Sequence, residues 1–253
     1  MSRGRKVGIG LLVLLVLLLG LVAIADRVAV GIAEDRIAEQ AETTIKNEGG
    51  TVEGRPDVSI GGFPFLTQVL GGNYDEITIK ANKPQTNGVK LENMTVVAND
   101  VEAATSDLMN GRGPVTAHRV TGNAFMTWET VKSLVQLSGL PVPIDLSKLT
   151  ITVVDNRIDL KLPIDIQGYK AVLTAKGTIS IADGKVLLAL SDVATEGGQL
   201  TGVAKTVFDA NKDKLKATIR TPQMPYKLVI NNVTSSAQGV TVTATATDVA
   251  LVQ

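Results

Sequence analysis

The chain has 253 residues and equal numbers of acidic and basic side chains, with 44% hydrophobic and only 3% aromatic residues. That apolar content is enough for a core and excludes a disordered chain; the absence of cysteine excludes disulfides, thiolate metal sites, cysteine nucleophiles and a lipidated cysteine anchor. Setting aside Arg3, Arg5 and Lys6, the remainder is slightly acidic and carries four Phe, three Tyr and one Trp, which is not the basic, stacking surface that nucleic acid needs.

Residues 1–25 read as a targeting segment. Arg3, Arg5 and Lys6 precede an uncharged Leu- and Val-rich run from Val7 to Ala25. As a helix the run is roughly 28 Å long, about one hydrocarbon core. The basic flank holds its N-terminal end in the cytoplasm, so residues 26–253 belong outside the plasma membrane, in a periplasm-like cell envelope. Two readings stay open. A signal anchor stays in place as a single pass; a signal peptide is cut after Ala23-Ile24-Ala25, a small-x-small site before Asp26.

Residues 26–253 form the second unit. Asp26 to Glu48 reads as an amphipathic helix with Val28, Ile32, Ala33, Ile37, Ala41 and Ile45 near one stripe, ended by Gly49-Gly50. It either packs on a sheet or lies on the membrane, and its acidic polar face argues for the sheet. Arg55 to Gly72 is irregular: Phe63 and Phe65 flank Pro64 between Gly pairs, followed by Leu66, Val69 and Leu70. This segment is either a core plug or the wall of an apolar ligand cavity.

Strand signals follow at Tyr74 to Ala81, Val89 to Ala103, Val115 to Val120, Leu149 to Leu162, Ala171 to Ile181, Val186 to Val193, Lys216 to Arg220, Tyr226 to Val233 and Val240 to Leu251, with hairpin turns at Asn87-Gly88, Asp183-Gly184 and Gln238-Gly239. Two helical patches interrupt them. Thr127 to Leu140 places Trp128, Val131, Leu134, Val135 and Leu137 at helical spacing, and Leu200 to Phe208 repeats the pattern. Leu140-Pro141-Val142-Pro143-Ile144 and Pro222-Gln223-Met224-Pro225 are irregular. Asn99-Asp100-Val101, Ser191-Asp192-Val193 and Thr247-Asp248-Val249 recur, either as duplicated hairpin units or by chance.

The sequence holds no chemical constellation. His118 is the one histidine, so it has no second imidazole for a metal and no visible nucleophile partner. No nucleophile elbow, phosphate loop or calcium-loop spacing occurs. No cofactor is implied. Converging carboxylates of a glycan-active enzyme remain the alternative that sequence does not address.

The hydrophobic segment, the amphipathic helix, Ile60-Gly61-Gly62-Phe63-Pro64-Phe65-Leu66-Thr67-Gln68 and Gly72-Asn73-Tyr74-Asp75-Glu76-Ile77-Thr78-Ile79 together resemble the actinobacterial LmeA-like family. The resemblance covers about residues 26 to 251. It implies an α+β fold like the tubular lipid-binding proteins, a strongly curved antiparallel sheet around a long helix enclosing an apolar cavity. It also implies a non-enzymatic envelope protein that binds a membrane phospholipid or lipid-linked glycan and supports lipomannan elongation beside envelope glycosyltransferases. On that reading Phe63, Pro64, Phe65, Leu66, Val69, Leu70, Trp128, Val131, Leu134 and Val135 are the candidate lipid-binding residues. The rival is an anchored scaffold with a filled core and no ligand. Aliphatic strands with few aromatics suit acyl chains, each buried methylene contributing about 0.8 kcal/mol.

The charge order around the apolar run predicts that a reporter active only in the cytoplasm, fused after Gln253, is silent in cells; strong activity would reverse the assigned side.

Overall fold

The computed structural model describes residues 3–86, 88–110, 113–138, 145–154, 157–166, 169–182, 185–196, 202–211, 216–219 and 228–252. The first element is a single unbroken helix, α1 (Arg3–Asn47). Its N-terminal half is long and apolar enough to cross a membrane, and none of the described residues covers it: Leu11 to Leu19, Leu21, Val22 and Ile24 are all exposed. Burial begins at Asp26 and continues at Val30, Ala33, Ile37 and Ala38, the spacing of one helix face. Val28 and Ile32, expected on the packed stripe, stand exposed instead. The contact made by Asp26 sets the rotation of the helix, and those two residues fall off its face. Gly49, in the left-handed region, ends the helix as expected.

Two six-stranded antiparallel sheets follow. In the first, β1 (Asp57–Ile60), β2 (Asn73–Asn82), β5 (Asn93–Glu102), β6 (Val115–Thr127), β14 (Gly239–Val252) and β13 (Val229–Ser235) lie side by side in that order. In the second the order is β7 (Val135–Ser138), β12 (Lys216–Ile219), β11 (Lys185–Glu196), β10 (Tyr169–Ala182), β9 (Arg157–Ile166) and β8 (Thr150–Val154). β3 (Gln85–Thr86) and β4 (Val89–Lys90) form a small hairpin. The architecture is α+β with an N-terminal helix, and neither sheet closes into a barrel.

Several elements differ from the sequence reading. The expected strand from Leu149 to Leu162 is a hairpin, with Val154 paired to Arg157. The expected helix from Thr127 to Leu140 stops early: α4 (Trp128–Leu134) gives way to β7, whose residues pair with β12 about eighty residues later. A pairing that distant is invisible to local periodicity. The helical patch near Leu200 is α5 (Gly202–Asn211), and two short helices stand where none was expected: α2 (Phe65–Gly71), which with β1 lies inside the segment read as irregular, and α3 (Thr105–Asn110). Asn87, the turn at 183–184 and the two proline segments at 140–144 and 222–225 lie outside the described residues.

The recurring aspartates share one backbone conformation. Asp100, Asp192 and Asp248 all have positive φ, 52°, 50° and 51°, a region that Asp tolerates better than most residues. Each sits within a strand where the ladder skips. Tyr74 pairs with Val101 and Glu76 with Asn99, leaving Asp75 opposite Asp100; the same skip leaves His118 between Asp100 and Asp248. One extra residue per strand reverses the inside–outside phase. The row Tyr74, Val101, Ala117 and Val249 therefore faces the same side as Ile77, Ala98, Val120 and Ala246 beyond the skip, and the sheet bends without losing its apolar face.

These faces make two cores. In the first, α1 and the strands of the first sheet bury Val30, Ile37, Ile60, Tyr74, Val101 and Val120, and buried members outnumber partly buried ones. The second joins Val131 of α4, Ile230, Val240 and Ala244 of the first sheet, and Ile158, Leu160, Leu162, Val186 and Leu188 of the second. Gly177 lies at the centre of that second face. A Cβ there would meet Leu188 Cδ1 at 3.0 Å and Ile158 Cβ at 3.3 Å. The account predicts that Gly177→Val destabilises the protein by about 1–3 kcal/mol through overpacking, read from the denaturant midpoint of the detergent-solubilised chain; an unchanged midpoint would contradict the packing described.

Candidate functional site

The Phe-Pro-Phe segment is built around a carboxylate. Pro64 precedes α2 (Phe65–Gly71) and offers no side-chain cap. Asp26 of α1 supplies it from across the fold: its Oδ1 accepts the Leu66 N–H at 2.8 Å and its Oδ2 accepts from the Arg27 guanidinium at 2.7 Å. Asp26 has no exposed surface. Burial pushes its pKa up, but hydrogen bonds from the Leu66 N–H, the Arg27 guanidinium and the Phe65 N–H outweigh that and hold it below the ordinary 3.8.

The neighbouring motif residues have their own reasons. Gln68 is buried; its Nε2 donates to Gly61 O at 3.0 Å and its Oε1 accepts the Asp75 N–H at 2.9 Å. Gly62 has φ 86°, and a side chain there would collide with Asp75 and Gln68. Glu34 of α1 accepts the Ile60 N–H at 2.8 Å. Thr105 donates to Val69 O and shares a 2.7 Å hydrogen bond with Tyr74 Oη. The segment is thereby fixed to α1 on one side and to β2 on the other.

The ten sequence-predicted residues fall into two separate groups. Phe65 is 3% exposed and packs on Tyr74, ring centroids 6.3 Å apart, inside the first core. Val69 packs partly against the same core, and Leu66 is half-buried. Pro64, preceded by a cis peptide, is half-buried as well. Phe63 and Leu70 point outward, 66% and 88% exposed, with the Arg27 guanidinium 5.2 Å from the Phe63 ring centroid. Elsewhere, Val131 is buried in the second core with Trp128 and Leu134 packed beside it. The Trp128 indole donates to Ser236 O at 3.0 Å. Val135 opens β7, and its side chain lies outside the described set.

The sequence reading missed the second sheet's inner face. Across β8 to β11, the directly opposed residues Ile151–Leu160, Val153–Ile158, Leu173–Leu162 and Ile179–Leu188 share one face. Among the described residues of the second core, partly exposed apolar side chains outnumber buried ones; Ile151, Val153, Leu173, Ile179, Ile181 and Leu190 are only half-covered. This aliphatic face is less completely buried than the first core. The alternation that builds it was legible, but the incomplete cover depends on tertiary packing. Two open depressions lie beside α2 and beside the packed part of α1. One of about 720 Å³ is bordered by Val69, Leu70, Glu102, Thr105 and Pro114; one of about 460 Å³ is bordered by Arg27, Val28, Ile32, Arg55 and Pro56.

His118 is exposed on β6 between two carboxylates, Nδ1 at 2.9 Å from Asp248 Oδ1 and Nε2 at 3.4 Å from Glu102 Oε1. The Asp248 and then the Glu102 hydrogen bonds raise its pKa above 6.5. Among the described residues no group of three His, Asp or Glu side chains is arranged to hold a metal.

A long apolar helix, two antiparallel sheets and a half-covered aliphatic face define an α+β protein with a surface suited to apolar ligands. Compared with known protein families, residues 24–245 match the LmeA-like phospholipid-binding family, and the chain belongs to that family. No curated protein and no solved structure matches it.

The Asp26 cap carries a pH signature. A depressed folded pKa contributes stability that is complete above the ordinary aspartate value of 3.8 and is lost as pH falls through the lower folded value. Asp26→Asn should therefore unfold more easily than the wild type at neutral pH, with the difference shrinking on acidification below pH 3.8. A difference independent of pH would contradict a charged cap.

Proposed function

We propose that the protein is a signal-anchored envelope protein that holds a phospholipid, or the lipid end of a lipid-linked glycan, along the aliphatic trough of the second sheet and carries out no chemistry on it. Family membership supports phospholipid as the ligand. The single structural observation that carries the reading is the half-covered face of Ile151, Val153, Leu173, Ile179, Ile181 and Leu190. It has no charged member and accepts methylenes at about 0.8 kcal/mol each.

Residues 1–25 act as the anchor and residues 26–253 as the lipid-binding domain. The unbroken α1 and the buried Asp26 one residue past the small-x-small site support retention of the anchor. Trp128, Val131 and Leu134, with Val135 next along the chain, mark one end of the trough, while Phe63, Pro64, Phe65, Leu66, Val69 and Leu70 belong to the membrane-proximal end. The domain works on the extracytoplasmic face of the plasma membrane, where handing a lipid-linked substrate to glycosyltransferases would support lipomannan elongation.

The test is saturable binding of a fluorescent phosphatidylglycerol by the detergent-solubilised chain. Leu173→Asp places a charge in the trough and should weaken binding by about tenfold or more while the fold persists. His118→Ala should bind as the wild type does, because His118 sits on the outer face of the first sheet. Unchanged binding by a folded Leu173→Asp would remove the trough from the account. Release of a lipid or glycan product, lost on changing one acidic residue, would replace it with the enzyme reading.

A further inference from the structure

Outside α1, the described large apolar residues left exposed are Phe63, Leu70, Val154 and Val229. Val154 and Val229 stand singly on strands, which is ordinary. Phe63 and Leu70 belong to one segment, and that segment is held at a particular height. The apolar run of α1 ends at Ala25. The next two residues hold α2 and its leader: Asp26 accepts the Leu66 N–H at 2.8 Å, and the Arg27 guanidinium lies 5.2 Å from the Phe63 ring centroid. At 1.5 Å per residue, both tethering residues lie within about 3 Å of the end of the run along the helix axis.

The outer face of α2 has no charge to keep it in water. Its one amide side chain, Gln68, is turned inward and hydrogen-bonded, and the Thr67 hydroxyl donates to Pro64 O at 2.7 Å. Leu66, Thr67 and Leu70, with Phe63 ahead of them, are what remains outside. On α1, the exposed Val28 and Ile32 fall within about 10 Å of the end of the run. That matches the depth over which interfacial helices bury their apolar face.

We infer that Phe63 and α2 form a foot that lies in the surface of the same bilayer that α1 crosses. Phe63 and Leu70 sit among the upper methylenes of the phospholipids, and the Arg27 guanidinium lies at the level of their phosphates. A ring and a cation at that height are the side chains a bilayer interface favours. The foot fixes the tilt of the domain on the membrane and brings the 720 Å³ depression beside Val69 and Leu70 against the lipid headgroups. The inference rests on the reading of α1 as a retained span and deepens the proposed function by naming where the bilayer meets the domain.

The chain has no cysteine, so Leu15→Cys, Phe63→Cys, Leu70→Cys and Val154→Cys each carry a single thiol for an environment-sensitive fluorophore. The full chain is reconstituted into vesicles of phosphatidylcholine and phosphatidylglycerol containing nitroxide-labelled phospholipid. Labels at positions 63 and 70 should lose about twofold or more fluorescence relative to the label at 154, with headgroup-proximal nitroxides quenching best. Quenching at 63 and 70 as weak as at 154, beside strong quenching at 15, would overturn the foot and leave the span standing. An unquenched label at 15 would remove the span and the foot together.

Discussion

A carboxylate with no exposed surface, placed one residue past a membrane-length apolar run, is the constraint on which this structure turns. Asp26 is tolerated there because its oxygens are taken by the Leu66 and Phe65 N–H groups and the Arg27 guanidinium. Those bonds do three things at once. They cap a short helix whose own N-cap residue is a proline, they fix the rotation of α1 so that Val30, Ala33 and Ile37 face the first sheet, and they tie the Phe-Pro-Phe segment to the end of the apolar run of α1. The order of the motif follows: glycines where no side chain fits, Gln68 where two backbone groups need partners, Phe65 inward and Phe63 outward.

The second constraint is the bend in the first sheet. Long strands that keep one apolar face twist but do not turn sharply. Here Asp75, Asp100, His118 and Asp248 stand in a row where every ladder skips a residue, and Asp100 and Asp248 take positive φ. Asp192 with Lys176 at 2.7 Å repeats the device in the second sheet. The two ends of the first sheet thus serve different partners. One end seals against α1; the other meets α4 and the second sheet and leaves an aliphatic face half-covered.

Much of this was legible in the sequence, and the failures share a cause. The apolar run and most strands followed from local pattern and turn chemistry, and the α+β class from the family resemblance; the segment from Arg55 to Gly72, read as irregular, instead holds β1 and α2, because Pro64 stands just ahead of a helix and not inside one. Asp26 read only as the first residue of the amphipathic helix, because its partner lies 40 residues away. The stripe containing Val28 and Ile32 was mis-phased for the same reason. Val135 to Ser138 read as helix because its periodicity is helical, while its pairing with β12 is a long-range contact. The recurring Asp-Val pairs were visible as text, but their shared φ was not. Of the candidate residues, the sequence picked out Phe65 and Val131 as apolar and important, yet both are core; the half-open residues of the second sheet looked like any other alternating strand.

The central claim is that this fold carries phospholipid. The most direct measurement is mass spectrometry, under native conditions, of the full chain extracted from membranes in mild detergent and washed free of bulk lipid. The account predicts a phospholipid retained in a fixed stoichiometric ratio and lost from Leu173→Asp. A chain that emerges folded but lipid-free, and that stays so when phospholipid is added back, would contradict it.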